Sequence, residues 1–169
     1  MPADIRLASL SDVDRLAALE DAAFVGDRIS RRSFRHLVAA PTAEVWIAVG
    51  VEAEPAGYAI VLYRRGARKA RLYSLAVAAA EQGSGHGRRL LSAAEQAAFR
   101  RGARALRLEV RQDNRRARAL YEGCGYRRGS LVPNYYADGA AAERYEKALV
   151  GPGRTSDAGR SARKEASLQ

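Results

Sequence analysis

The side chains and main-chain groups best suited to chemistry lie between residues 82 and 124. Gln82-Gly83-Ser84-Gly85-His86-Gly87 sets three glycines within six positions, and Arg88 and Arg89 follow directly. Glycines let the backbone turn tightly and leave its N–H groups unshielded. Where such a loop opens a helix, the first amides lack acceptors and the helix dipole favours an anion, so phosphate is the natural ligand. Two arginines at that end oppose the dipole, and a bound polyphosphate accounts for them. The plain alternative is a glycine-rich connection that binds nothing. Glu109 is a candidate proton acceptor that alternates with Leu108 and Val110, although Arg107 and Arg111 share its strand face and can simply pair with it. Tyr121 carries a phenol that stays protonated at neutral pH and can donate to a leaving group. It also falls on an apolar stripe with Ala117, Leu120 and Cys124, as a core tyrosine would. Cys124 has no histidine nearby in sequence and reads as a packing residue rather than a nucleophile.

These groups need elements to hold them. Leu72 to Val77 is an apolar run of strand length, and Arg88 to Arg101 carries Leu90, Leu91, Ala94, Ala97 and Ala98 at helical spacing before Gly102. Ala105 to Arg111 alternates as a second strand, so the spacing predicts one right-handed βαβ unit with parallel strands. Upstream, Ile5 to Leu7 reads as a strand. Ser11-Asp12-Val13-Asp14 is a start signal for a helix from Ser11 to Phe24. Gly26-Asp27 interrupts it, Ser30 can cap a second helix bearing Phe34, Leu37 and Val38, and Pro41 stops that helix. Val45 to Val49 and Gly57 to Tyr63 are β-rich runs. Between them and the central unit, Arg64, Arg65, Arg68, Lys69 and Arg71 surround Gly66 as a basic hairpin tip. Downstream, Asn114 can cap a short helix that Gly125 ends, Tyr126 opens an extended stretch, and a last strand runs from about Ala142 to Leu149. Residues 1–150 therefore form one domain. From Gly151 the apolar pattern is lost, and residues 151–169 are expected to be a disordered basic tail.

A chain of 169 residues with 47% hydrophobic content suits one globular domain with a substantial core. No run approaches the eighteen or so apolar residues of a membrane span, and Met1-Pro2-Ala3-Asp4 lacks the form of a secretory signal, so the expectation is a cytoplasmic protein without membrane attachment. One cysteine allows no internal disulfide, and His36 and His86 alone suggest no metal site. The net charge of +10 invites a polyanion partner, but the basic residues are spread along the chain, so sequence-specific nucleic-acid binding is not expected.

The loop is neither the dinucleotide fingerprint, which needs G-x-G-x-x-G, nor a P-loop, which needs Lys-Ser or Lys-Thr. Gln82, Gly85 and Gly87 instead resemble the acyl-CoA loop of the GNAT N-acetyltransferase superfamily, Q/R-x-x-G-x-G/A. The expected order β-α-α-β-β-β-α-β-α-β-β is similar to the GNAT fold over residues 4 to 149. This is an α/β (α+β) architecture, with a mixed central sheet of about seven strands flanked by about four helices. Leu-Glu-Val-Arg at 108 to 111, Asn114, Leu-Tyr-Glu at 120 to 122, Gly125-Tyr126 and Asn-Tyr-Tyr at 134 to 136 resemble the ribosomal-protein-alanine N-acetyltransferase (RimI) type.

The resemblance implies acetyl-CoA as co-substrate, no metal, and direct attack by a primary amine. It makes Glu109 the base and Tyr121 the acid for the departing sulfur. It assigns Leu75, Ala76 and Val77 to the pantetheine arm and the thioester carbonyl. Gln82, Gly83, Ser84, Gly85, His86, Gly87 and Arg88 become the pyrophosphate loop, with Asn114 a further CoA contact. Gly83 stands where many relatives carry a basic residue, and Ala78-Ala79 where Asp-Pro is common. Tyr135 and Tyr136 can wall an acceptor groove or simply pack at a strand edge, and Asp27 is a candidate partner for the acceptor's ammonium. The implied acceptor is a protein N-terminal α-amine, with a ribosomal protein, and hence ribosome association, as one source. Small amines, a lysine side chain, or a non-catalytic acyl-CoA- or RNA-binding role are the alternatives. Freeing a neutral amine at pH 7 costs about 1.4 kcal/mol for an α-amine and about 4.6 kcal/mol for lysine, so a base matters more for lysine.

Overall fold

Periodicity resolves into seven strands and four helices in a computed structural model that describes residues 4–151. In chain order these are β1 (Asp4–Leu7), α1 (Val13–Ala23), α2 (Arg31–Ala39), β2 (Ala43–Val49), β3 (Pro55–Leu62) and β4 (Lys69–Val77). There follow α3 (His86–Arg100), β5 (Ala105–Arg111), α4 (Arg115–Gly123), β6 (Arg127–Val132) and β7 (Ala142–Ala148). The sheet order is β1-β2-β3-β4-β5-β7-β6, with β4 and β5 parallel and every other pair antiparallel. The expected element order and mixed architecture are borne out. The expected tail lies outside the described residues, apart from Gly151.

Helices cover both faces of the sheet. The α3 stripe of Leu90, Leu91, Ala94 and Ala98 packs on one face with Ala59, Val61, Leu72 and Leu106. Leu90 and Leu91 are fully buried and contribute about 2 kcal/mol each. On the other face, Leu16 and Leu19 of α1 and Phe34 of α2 meet Val45, Ile47, Tyr58 and Ile60. Central β3 is covered on both sides, so Ala56 to Val61 is buried throughout rather than alternately.

Several boundaries differ from the sequence expectation by one to three residues, and three of them have a clear physical cause. The first helix begins at Val13, after a 3-10 turn over Leu10–Asp12, and its start signal is Ser9 and Asp12 rather than Ser11 and Asp14. Arg6 forks onto both Asp12 oxygens at 2.8 and 2.9 Å, and the Ser9 amide donates to Oδ2 at 2.8 Å. The Arg6 bonds, helped by the Ser9 amide, hold the Asp12 carboxyl down at about 2. Strand β4 begins at Lys69 rather than Leu72, because its parallel ladder with β5 starts at Lys69 and Ala105. Lys69 then pairs with Glu146 and Arg71 with Glu109, each at 3.0 Å, which leaves Arg64, Arg65 and Arg68 at the hairpin tip. Helix α3 starts at His86, two residues early, because Gly85 takes the cap position in the left-handed region at φ +86°.

Candidate active site

The site opens where β4 and β5 part. They pair only from Lys69 to Arg71 and from Ala105 to Arg107. Beyond that point β4 carries a bulge: Ile60 of β3 pairs with Ser74 and Val61 with Leu72, leaving Tyr73 as the extra residue. A bulge bends and twists its strand, which draws the rest of β4 away from β5. Ala76 turns its carbonyl toward β3, and the Ala78 amide donates to Ala56 O at 2.8 Å. By alternation, Leu75 and Val77 turn their peptide groups into the gap, where Val77 O accepts from the Gln82 side-chain Nε2 at 3.4 Å.

Two cavities meet at this gap. The first, of about 400 Å³, is walled by Leu75 to Val77, the glycine loop, Asn114, Arg116 and Tyr121. The second, of about 760 Å³, reaches from Glu20 and Asp27 to Glu109, Tyr135 and Tyr136. Phe24, Leu75, Asn114, Ala117 and Tyr121 line both.

The glycine loop presents free main-chain donors. Among the described residues, no intramolecular acceptor engages the amides of Gly83, Gly85, His86, Gly87 or Arg88; the first helical bond at this end runs from Arg89 N to Gly85 O. No acidic residue occupies the first turn of α3. Gly87 also allows a close approach, since a Cβ there would come within 3.2 Å of Leu120. Arg89 braces the loop from below by donating to Ser84 O at 3.0 Å. The buried His86 ring is turned to Glu81, 3.1 Å away, and to Arg89, while its main-chain N–H is one of the loop's free amides. Gln82 binds Arg116, a cationic wall residue that sequence reading missed. Arg88 points its guanidinium to Cys124 Sγ at 3.9 Å. Asn114 caps α4 by accepting from Ala117 N at 3.1 Å while also facing both cavities.

Tyr121 lies where the cavities join. It is buried, its ring meets Tyr126 edge-on at 5.7 Å, and its hydroxyl has no hydrogen-bond partner among the described residues. Burial, with Tyr136 and Cys124 nearby, pushes its phenol well above the ordinary value, so it keeps its proton. Glu109 faces the second cavity with its side chain 4% exposed. Arg71 and Arg107 donate to its two oxygens at 3.0 and 2.9 Å, and Arg144 Nε lies 3.4 Å away. Of the two neighbours weighed from sequence, only Arg107 pairs with it. Arg111 turns instead to Asp113 and Asp138.

The loops expected to shape the acceptor side come together. Asp27 accepts from Ala137 N at 3.2 Å across 110 residues of chain, which joins the α1–α2 loop to the β6–β7 loop. Arg71 donates to the Tyr135 hydroxyl at 2.7 Å, and the Arg111 guanidinium lies 5.2 Å from the Tyr136 ring centre. Cys124 is half-buried and lines neither cavity, and burial pushes its thiol up, away from a nucleophile's range. Sequence reading also missed Glu20, Tyr58 and Ser74, which are hydrogen-bonded in a chain beneath the second cavity. One signal was available: Glu20 falls at helical spacing with Val13, Leu16 and Ala17, on the apolar face of α1. Among the described residues no cluster of three or more His, Cys, Asp or Glu could hold a metal, and no helix is long and apolar enough to cross a membrane.

Similarity to known proteins agrees with this geometry. An uncharacterized Mycobacterium leprae protein is 37% identical over 144 residues, covering 78% of this chain and 37% of its own length. The [ribosomal protein bS18]-alanine N-acetyltransferase of Haemophilus ducreyi is 40% identical over 68 residues, covering 40% of this chain and 47% of its own length. The chain thus spans less than half the length of either curated relative. The crystal structure of the Escherichia coli ribosomal-protein-S18-alanine N-acetyltransferase superposes with a TM-score of 0.76 at 25% identity, over 90% of this chain and 99% of that one. The acetyltransferase (GNAT) family profile matches residues 13–126, from the start of α1 through the glycine loop to Tyr126, and the chain belongs to that family.

Proposed function

We propose that this enzyme transfers the acetyl group of acetyl-CoA to the N-terminal α-amine of a protein, with a ribosomal protein as the leading candidate. The observation that carries the chemistry is the gap between β4 and β5, with unpaired loop amides at one end and the Tyr121 hydroxyl between the two cavities. The choice of acceptor rests on the relatives, two of which are named as alanine N-acetyltransferases of a ribosomal protein.

In this reading, acetyl-CoA is a substrate held by the chain's own groups. The amides of Gly83 and of Gly85 to Arg88 donate to the pyrophosphate, with Arg116 adding charge at the mouth. The Leu75 and Val77 peptide groups pair with the pantetheine arm. One of their N–H groups donates to the thioester oxygen as negative charge develops there. The acceptor enters through the second cavity between Asp27, Tyr135 and Tyr136. Its amine nitrogen bonds to the carbonyl carbon, the carbon–sulfur bond breaks, and Tyr121 gives its proton to the departing sulfur. Through a water molecule at its remaining acceptor position, Glu109 takes first the proton that turns an arriving ammonium into the neutral amine, which it passes to solvent, and then the proton the nitrogen sheds on bonding to carbon. Solvent then reprotonates Tyr121 and takes the proton from Glu109.

Mass spectrometry of intact peptides after incubation with acetyl-CoA tests the reading. Alanine-initiated peptides, lysine peptides blocked at the N-terminus, and small polyamines form the panel. Mass gain confined to free α-amines is the expected result. Acetylation of polyamines or lysine alone would overturn the acceptor assignment while leaving the enzyme class intact.

A further inference from the structure

One carboxylate in the wall of the second cavity has no counter-charge among the described residues. Glu20 of α1 is 2% exposed and lines the cavity together with Ser74, Leu75 and Tyr121. Its Oε1 accepts from the Ile29 amide at 2.9 Å and its Oε2 from the Tyr58 hydroxyl. That hydroxyl lies 3.0 Å from Ser74 Oγ. Both donors to Glu20 are neutral, and it forms no ion pair with any described residue. Burying a carboxylate without a cation is unfavourable, and two hydrogen bonds use only about half of its roughly four acceptor positions. Glu109, in the same cavity, is the opposite case, with three guanidinium groups around it. An amine at neutral pH arrives mostly as its cation.

Building on the acetyl-transfer reading, we propose that the Ser74–Tyr58–Glu20 chain is the seat of the acceptor's ammonium group. Ser74 Oγ accepts one N–H of the ammonium, and Glu20 supplies the negative charge behind it. The bulge at Tyr73 makes the seat possible. It sets Ser74 opposite Ile60, one residue before the Leu75 peptide that faces the gap. The ammonium is thereby held next in the chain to the group that polarises the thioester, and Glu109 remains free to take its two protons in turn and pass them to solvent. A neutral hydroxyl gains nothing from Glu20, so the seat selects amines over alcohols.

Binding, rather than turnover, tests this. Trialanine amide, and its counterpart with a hydroxyl in place of the α-amine, are titrated by NMR into protein saturated with CoA. The wild type should bind the amine at least about tenfold more tightly, the worth of a charge-assisted hydrogen bond. Ser74→Ala and Tyr58→Phe should each cut that ratio to about threefold, and Glu20→Gln to about one. Thermal unfolding of each variant checks its fold, and if Glu20→Gln does not fold, the other two ratios decide. A ratio unchanged in Ser74→Ala and Tyr58→Phe, or one that collapses in Glu109→Gln instead, overturns the seat. A wild type that prefers the amine yet acetylates no member of the panel supports the seat and overturns the transfer reading alone.

Discussion

Tyr121 and Glu109 sit in contrasting surroundings, each suited to one half of the proposed transfer. The Tyr121 phenol is kept protonated by burial, and no partner among the described residues competes for its hydrogen. Replacing it with Phe removes one oxygen and keeps the edge-on contact with Tyr126. Tyr121→Phe should therefore lower kcat about a hundredfold, the ordinary share of a general acid, with the calorimetric Kd for acetyl-CoA within about twofold of wild type. Glu109→Gln should slow turnover most at low pH, where more of the amine arrives charged, and a rate ratio constant with pH would remove the base role. Cys124 lines neither cavity, so Cys124→Ser should leave kcat within about twofold, which a ping-pong intermediate on sulfur would not allow.

At the level of elements, the site depends on how β4 leaves the sheet and how the loop enters α3. Gly57 of β3 lies so close to β4 that a Cβ would stand 2.7 Å from Ala76 O. Gly57→Ala should push the strands apart and cost about 1–3 kcal/mol in denaturant unfolding, as overpacking does. A Cβ at Gly85 would make only ordinary contact with the Arg89 guanidinium, at 3.6 Å, but the residue has a φ of +86°. An alanine there meets the left-handed penalty of about 1–2 kcal/mol or reshapes the cradle. Gly85→Ala should raise KM for acetyl-CoA while leaving the acceptor KM nearly unchanged, as steady-state kinetics with each substrate varied would show.

For the whole molecule, the contact between β1 and the start of α1 makes stability depend on pH. The Asp12 carboxyl is held at about 2 against an ordinary 3.8. A depressed folded-state value contributes its full stabilisation above about pH 4, and that contribution fades as the pH falls toward about 2. The thermal midpoints of wild type and Asp12→Asn should therefore differ most above about pH 4 and converge in stronger acid. A gap of constant size would show that the Arg6 attachment contributes nothing through charge.

What the sequence alone determined was local. The βαβ unit, the stripe on α3, the caps at Ser30 and Asn114, and the glycine loop all follow from residues within a turn or two of each other. Their backbone preferences and spacing act before distant segments meet. Tertiary structure decided which side chains share the site. Glu20 meets Tyr58 across 38 residues, Asp27 meets Ala137 across 110, and Arg71 rather than Arg111 reaches Glu109. The bulge at Tyr73 reverses the side-chain alternation on half of β4, and no run of neighbours announces it, because register is set by pairing with β3. Charge balance around a carboxylate is a sum over such distant partners, so it comes into being only when the chain has folded.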